Sequence, residues 1–69
     1  MEVRAEMVAN VWKVVVAQGD SVADGDTLVI LESMKMEIPV VAPRAGRLAE
    51  LRVREGDALN EGDVVAVME

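Results

Sequence analysis

The sequence predicts an all-β fold, with eight short strands closed into a sandwich or flattened barrel. Three observations carry this. Hydrophobic residues make up 52% of the chain and aromatics only 1%, so the core must be aliphatic. Its β-branched excess favours strands, where such side chains pack well on a pleated surface. Turn signals recur at short, regular spacing as Gly19-Asp20, Gly25-Asp26, Gly56-Asp57 and Gly62-Asp63, the pattern of an all-β sandwich or barrel. No window combines helical periodicity with capping residues, so helix is not expected.

Taken in order, Val3 to Met7 is a first strand and Val11 to Ala17 a second, with Val14 and Val16 on one face and Lys13 and Val15 on the other. A turn at Gln18-Gly19-Asp20 leads to a brief edge strand, Ser21 to Ala23, and a second turn at Asp24-Gly25-Asp26. Glycine permits positive φ at such turns, and the aspartate side chain can accept from nearby backbone N–H groups. Thr27 to Glu32 and Met36 to Ala42 are the fourth and fifth strands. Pro39 has no N–H to donate, which predicts an edge or a bulge there. The remaining strands are Arg47 to Arg54, Ala58 to Asn60 and Val64 to Met68. Leu51 and Val53 alternate with Arg52 and Arg54, the signature of a half-buried strand.

The chain is an internal duplication. Displaced by 37 positions, residues 3–32 lie on residues 40–69 without a gap. Val3, Ala5, Gly19, Asp20, Gly25, Asp26 and Glu32 meet the same residue types at Val40, Ala42, Gly56, Asp57, Gly62, Asp63 and Glu69. Each copy is then expected to cover the apolar face of the other, which supplies what a small domain otherwise needs from a staple. Residues 33–39 connect the copies, with Lys35 near their centre. If a two-fold axis relates the copies, the connecting turn lies near it and both chain ends lie far away. Lys35 would then be a single tip, presented away from the ends.

Composition bounds the function. At 69 residues the chain is one domain, 1–69, near the size where a single core is barely sufficient. Without cysteine there is no disulfide, and without histidine as well a zinc site would need carboxylates alone. A net charge of -6 argues against nucleic acid, whose binders present a basic face. No apolar run approaches the roughly 20 residues that span a bilayer, and the N-terminus shows no signal-peptide pattern. These features predict a soluble, cytoplasmic protein that does not engage membranes.

The candidate site is Glu32-Ser33-Met34-Lys35-Met36-Glu37. The flanking strands leave room only for a tight hairpin with Met34 and Lys35 at its corner, yet two-residue hairpins prefer Asn-Gly or Asp-Gly. A local rule broken at the centre of a rule-abiding chain is where function is expected. As a Schiff-base or general-base residue a lysine needs burial and a partner to lower its pKa from about 10.4, and a hairpin tip offers neither. An exposed amine on a rigid corner is suited instead to being acylated by another enzyme and carrying the attached group on a long arm. A plain solvated turn lysine is the competing reading.

The motif resembles the attachment site of biotinyl domains, whose usual form is Ala-Met-Lys-Met. The paired Gly-Asp turns, Ala42-Pro43 and Gly46 also match the biotinyl/lipoyl attachment family, and the resemblance spans residues 3–69. It implies a flattened barrel of two four-stranded antiparallel sheets with quasi-two-fold symmetry and the modified lysine on a hairpin. It also implies that Lys35 is joined to biotin by a biotin protein ligase. The biotin would take up a carboxyl group at a biotin carboxylase and deliver it at a carboxyltransferase, the domain itself catalysing nothing. Met34 and Met36 match the flanking methionines of the family, whose soft side chains suit a surface gripped by several enzymes, with a plain packing role as the equal alternative. Glu32 matches an acidic position that helps the ligase recognise the hairpin, and a purely structural role is its rival.

Ser33 departs from the pattern, standing where alanine is usual. Glu6 and Ala9 stand where the second copy has Pro43 and Gly46, so the first corner is expected to be built differently. The gapless repeat excludes the protruding loop of some bacterial acetyl-CoA carboxylase carriers. Because no Ala/Pro-rich tether is present, the resemblance is closest to small free-standing attachment proteins, and a monomer is expected. A lipoyl carrier of a 2-oxo acid dehydrogenase is the alternative, disfavoured because lipoyl domains usually have Asp-Lys-Ala. An unmodified interaction module is a third reading. Trp12, in phase with Val14 and Val16, is expected to fill the core, with a partly exposed partner contact as the alternative. Lys13, mid-strand, is a poor acylation site.

Overall fold

The computed structural model describes all residues, Met1–Glu69, and contains eight strands and no helix. They are β1 (Glu2–Arg4), β2 (Ala9–Val14), β3 (Ser21–Val22), β4 (Thr27–Ser33), β5 (Met36–Val41), β6 (Gly46–Leu51), β7 (Ala58–Leu59) and β8 (Val64–Met68). They form two four-stranded antiparallel sheets, ordered β1-β8-β6-β3 and β5-β4-β2-β7. Both the class and the strand count agree with the sequence reading.

The sheet orders show how the duplicated halves combine, which periodicity alone leaves open. Strands β1 to β4 belong to the first copy and β5 to β8 to the second, so each sheet contains two strands from each half. Neither half has a sheet of its own, so neither can bury its apolar face alone. The pairing of β4 with β5 is mirrored by that of β8 with β1. The two-fold therefore exchanges the β4–β5 hairpin with the chain termini. It does not run through the turn as expected from the repeat, although Lys35 is still presented away from both ends.

All 15 buried residues are hydrophobic and aliphatic, and no polar side chain is buried. Leu28, Leu31, Leu48, Val11, Val29, Val65 and Met68 form the most enclosed part, while Val14, Val16 and Leu51 pack against it as their alternation predicts. The turns repeat to the level of single hydrogen bonds. Asp20, Asp26, Asp57 and Asp63 each accept, through Oδ2, the backbone N–H three residues earlier. The glycine before each aspartate has a φ of 96°, 86°, 93° or 90°, which a side chain would strain.

Several strands are shorter than expected, and at the ends of the first strand, the second strand and its repeat mate the backbone meets groups of the other half. The first strand ends at Arg4, short of Met7, because the Ala5 N–H donates to Asp63 O at 2.8 Å and its carbonyl accepts from Gly62 N–H at 2.8 Å. The second begins at Ala9 and ends at Val14, short of Ala17. There the Val14 N–H meets Glu55 Oε2 at 3.3 Å, and the equivalent Leu51 N–H meets Gln18 Oε1 at 3.4 Å. In each copy one more backbone bond follows, Val15 N–H to Leu28 O at 3.0 Å and Arg52 N–H to Val65 O at 2.9 Å. The two corners share the same backbone pattern, since Ala42 N–H donates to Asp26 O at 2.8 Å just as Ala5 does to Asp63. The predicted difference lies in side chains only. Where the first corner has Ala9, the second has Gly46, whose missing Cβ would lie 3.2 Å from Met68 Cε.

The expectation that Trp12 fills the core is wrong. Register slips between Val11 and Lys13, so Trp12 is the extra residue of a β-bulge. Its side chain faces outward and is 48% exposed. Pro39 occupies the edge strand β5, as its missing N–H requires.

Candidate lysine attachment site

Strands β4 and β5 pair over six positions, from Thr27 with Val41 to Ser33 with Met36. Met34 and Lys35 are therefore the whole loop. The register is held by the core, because Leu31 on β4 is only 2% exposed and a one-residue slip would turn it to solvent. Both loop residues are left-handed, with φ of 53° at Met34 and 65° at Lys35. Positive φ at both central positions is the type I′ turn, whose twist matches the flanking strands. These are the two non-glycine residues of the chain with positive φ, each at a cost on the order of 1 kcal/mol.

That strain makes a prediction. Met34→Asn and Lys35→Gly should each stabilise the domain by about 0.5–1 kcal/mol, since both residues enter the left-handed region more readily. Urea unfolding midpoints check this, and an unchanged or lower midpoint would mean that the turn is not under strain.

The two side chains leave the barrel together. Lys35 is exposed and makes no ion pair. Met34 is 90% exposed and Met36 58%, so the methionines do not pack into the core. Such apolar exposure beside a lone cation is a feature of recognition surfaces. Ser33 is half-buried at the base of the turn. Glu32 and Glu37 face each other directly across β4 and β5, both exposed. Like charges in register disfavour the hairpin, and neither carboxylate has an ion-pair partner.

The structure thus places all six residues of the motif, Glu32, Ser33, Met34, Lys35, Met36 and Glu37, around one two-residue turn. A surface groove of about 360 Å³ lies between edge strands β1 and β5, lined by residues such as Val3, Met7, Ile38 and Val40 and not by the turn residues. Lys35 accordingly has no enclosing wall, which fits an amine that is acylated from outside and does not fit a lysine that works as a buried base. No group of His, Cys, Asp or Glu could hold a metal ion, and no helix is long and apolar enough to cross a membrane.

The biotin/lipoyl family, described as "Biotin-requiring enzyme", matches residues 2–68. A biotinylated protein TB7.3 homolog of Mycobacterium leprae is 54% identical over 67 residues, covering 97% of this chain and 94% of that protein. A biotin/lipoyl attachment protein of Bacillus subtilis is 52% identical over 65 residues, covering 94% of this chain and 89% of that one. Among solved structures, the Kluyveromyces lactis urea carboxylase superposes with a TM-score of 0.93 at 36% identity, over 100% of this chain and 6% of the larger one. With a family match over nearly the whole sequence and relatives of its own size, this chain belongs to the biotin/lipoyl attachment family.

Proposed function

We propose that this chain, residues 1–69 acting as one biotinyl domain, is a biotin carboxyl carrier whose Lys35 Nζ bears biotin through an amide made by a biotin protein ligase. The observation that carries the reading is the free, exposed Lys35 at the apex of a two-residue type I′ turn, with methionine on both sides. Biotin, when attached, supplies a ring nitrogen that accepts and releases a carboxyl group. The chain supplies the rest. The paired register of β4 and β5 fixes the base of the arm, so that only the lysine side chain and what it bears need to swing. Met34 and Met36 give a deformable collar that fits the ligase, a biotin carboxylase and a carboxyltransferase in turn. The domain itself catalyses nothing and works as a soluble cytoplasmic monomer.

A second reading, a lipoyl carrier, is favoured by one observation, the dual naming of the Bacillus subtilis relative. Co-expression with a biotin ligase and, separately, with a lipoyl ligase tests both through intact mass and fragmentation. Biotin added at the turn peptide is the expected result. A lipoyl group added in its place would move the protein to acyl transfer, and no addition from either ligase would reject the carrier function.

A further inference from the structure

The internal two-fold provides a control: apart from the hairpin end, where Ser33, Met36 and Glu37 have no equivalent, the residues of the lysine-bearing sheet have counterparts on the other sheet. The counterpart face is neutralised by ion pairs. Arg4 pairs with Glu2, Arg47 with Glu69 at 3.5 Å and Arg52 with Glu50 at 2.8 Å. Displaced by 37 positions, the three arginines become Val41, Asn10 and Val15. Glu2 becomes Pro39, Glu50 becomes Lys13, and no ion pair survives on the lysine-bearing face.

The consequences are specific. Glu32 is left uncompensated, because its cross-strand neighbour is Asn10, whereas the equivalent Glu69 has Arg47. The bulge occupied by Trp12 is present again between Leu48 and Glu50, with Ala49 in the extra position. Trp12 at 48%, Val15 at 50% and Val41 at 44% remain exposed. Lys13, Ile30 and Pro39 lie in one row across β2, β4 and β5. That row sits three residue steps, about 10 Å, from the base of the turn. Nearer the turn lies the row Asn10, Glu32, Glu37. The face is therefore graded, carboxylates next to the lysine and behind them a largely apolar patch that also carries the exposed, unpaired Lys13.

Resting on the carrier reading above, we infer that this face is the docking surface for the biotin carboxylase component, through an apolar patch on that enzyme rimmed by arginine or lysine. Carboxylation of biotin consumes bicarbonate together with ATP, whose cleavage to ADP and phosphate carries off the departing oxygen, and both substrates are anions that positive potential at the mouth of such a site would attract. The unpaired Glu32 and Glu37 complement that potential beside the lysine. Trp12 supplies the large aromatic anchor typical of interface hot spots, while the ion-paired opposite face has neither feature.

The test uses the whole chain, biotinylated, as substrate for an isolated biotin carboxylase subunit of an acyl-CoA carboxylase supplied with magnesium and ATP, with labelled bicarbonate fixed on the carrier as readout. Trp12→Ala and Asn10→Arg install what the other half already tolerates at equivalent positions, so the fold is retained, and far-UV circular dichroism confirms it. Each is expected to raise KM for the carrier at least tenfold with kcat little changed. Arg52→Val, on the opposite face, should leave KM within twofold. Wild-type KM should also rise with salt, and Asn10→Arg should flatten that dependence. Unchanged KM in both variants, or an equal defect in Arg52→Val, would overturn the docking face while leaving the carrier function standing. Slower ligation or slower carboxyl delivery with normal carboxylation would overturn it too, assigning the face to the ligase or the transferase. If the wild-type chain takes up no biotin at all, the carrier reading itself has failed.

Discussion

Lys35→Arg is expected to abolish biotinylation completely, with an intact mass equal to that of the unmodified chain even under excess ligase, while Lys13→Arg retains the full increment of one biotin. Arginine keeps the charge and most of the reach of lysine, but its delocalised guanidinium is not an acyl acceptor under these conditions. The chain has two lysines, which makes the comparison complete. Lys13 is also exposed, so exposure does not discriminate between them. The difference is backbone. Lys13 sits in register with Ile30 within a ladder, whereas Lys35 stands at a two-residue apex where both neighbouring side chains are also free. A ligase can enclose an apex; it cannot enclose the middle of a sheet. Retention of biotin by Lys35→Arg would overturn the assignment of the site.

The second large effect is on stability. Leu28→Ala should cost about 3 kcal/mol, because a fully buried leucine loses its transfer energy and leaves a cavity that closely packed strands cannot fill. Leu28 is 0% exposed and lies at the irregularity between Thr27 and Val29, where β4 bends over the core. Domains of this size hold only a small multiple of that energy, so the melting temperature should fall by roughly 10–20 °C. Its repeat mate Val65, also 0% exposed, has less volume to lose, and Val65→Ala should cost roughly 2 kcal/mol. Val8, 67% exposed, serves as the surface control, with Val8→Ser changing stability by no more than about 0.5 kcal/mol. Thermal and urea melts of the three variants check the order. A loss below about 1 kcal/mol for Leu28→Ala would mean that the core is not close-packed.

Much of this was legible before any coordinates. The duplicated Gly-Asp turns locate the strands because glycine and aspartate act locally, through positive φ and a short reach to a backbone N–H. Alternation at Val14 and Val16, or at Leu51 and Val53, reads correctly because a strand has period two wherever one face is buried. The Met34-Lys35 turn is legible for the opposite reason, as a hairpin that lacks the residues such a turn prefers. Trp12 was misread, since one bulged residue between Val11 and Lys13 breaks the alternation on which the phase argument depends. Its repeat mate Ala49 was the available warning, because a core position would need similar volume in both copies.

The sequence by itself determined the class, the eight strands, the aliphatic core and the lysine at the apex, all of which follow from local chemistry or from the repeat. Only the tertiary structure decided how the halves share two sheets, where each strand stops, and that the two-fold exchanges the hairpin with the termini. These depend on which backbone groups meet across the halves, as Ala5 meets Asp63 and Gly62. Tertiary structure also decided which face of the barrel keeps its ion pairs and which face leaves Trp12, Glu32 and Glu37 open. The physical reason is that hydrogen-bond partners and exposed faces are set by distances through space, and a one-dimensional pattern carries no such distances beyond the nearest turn.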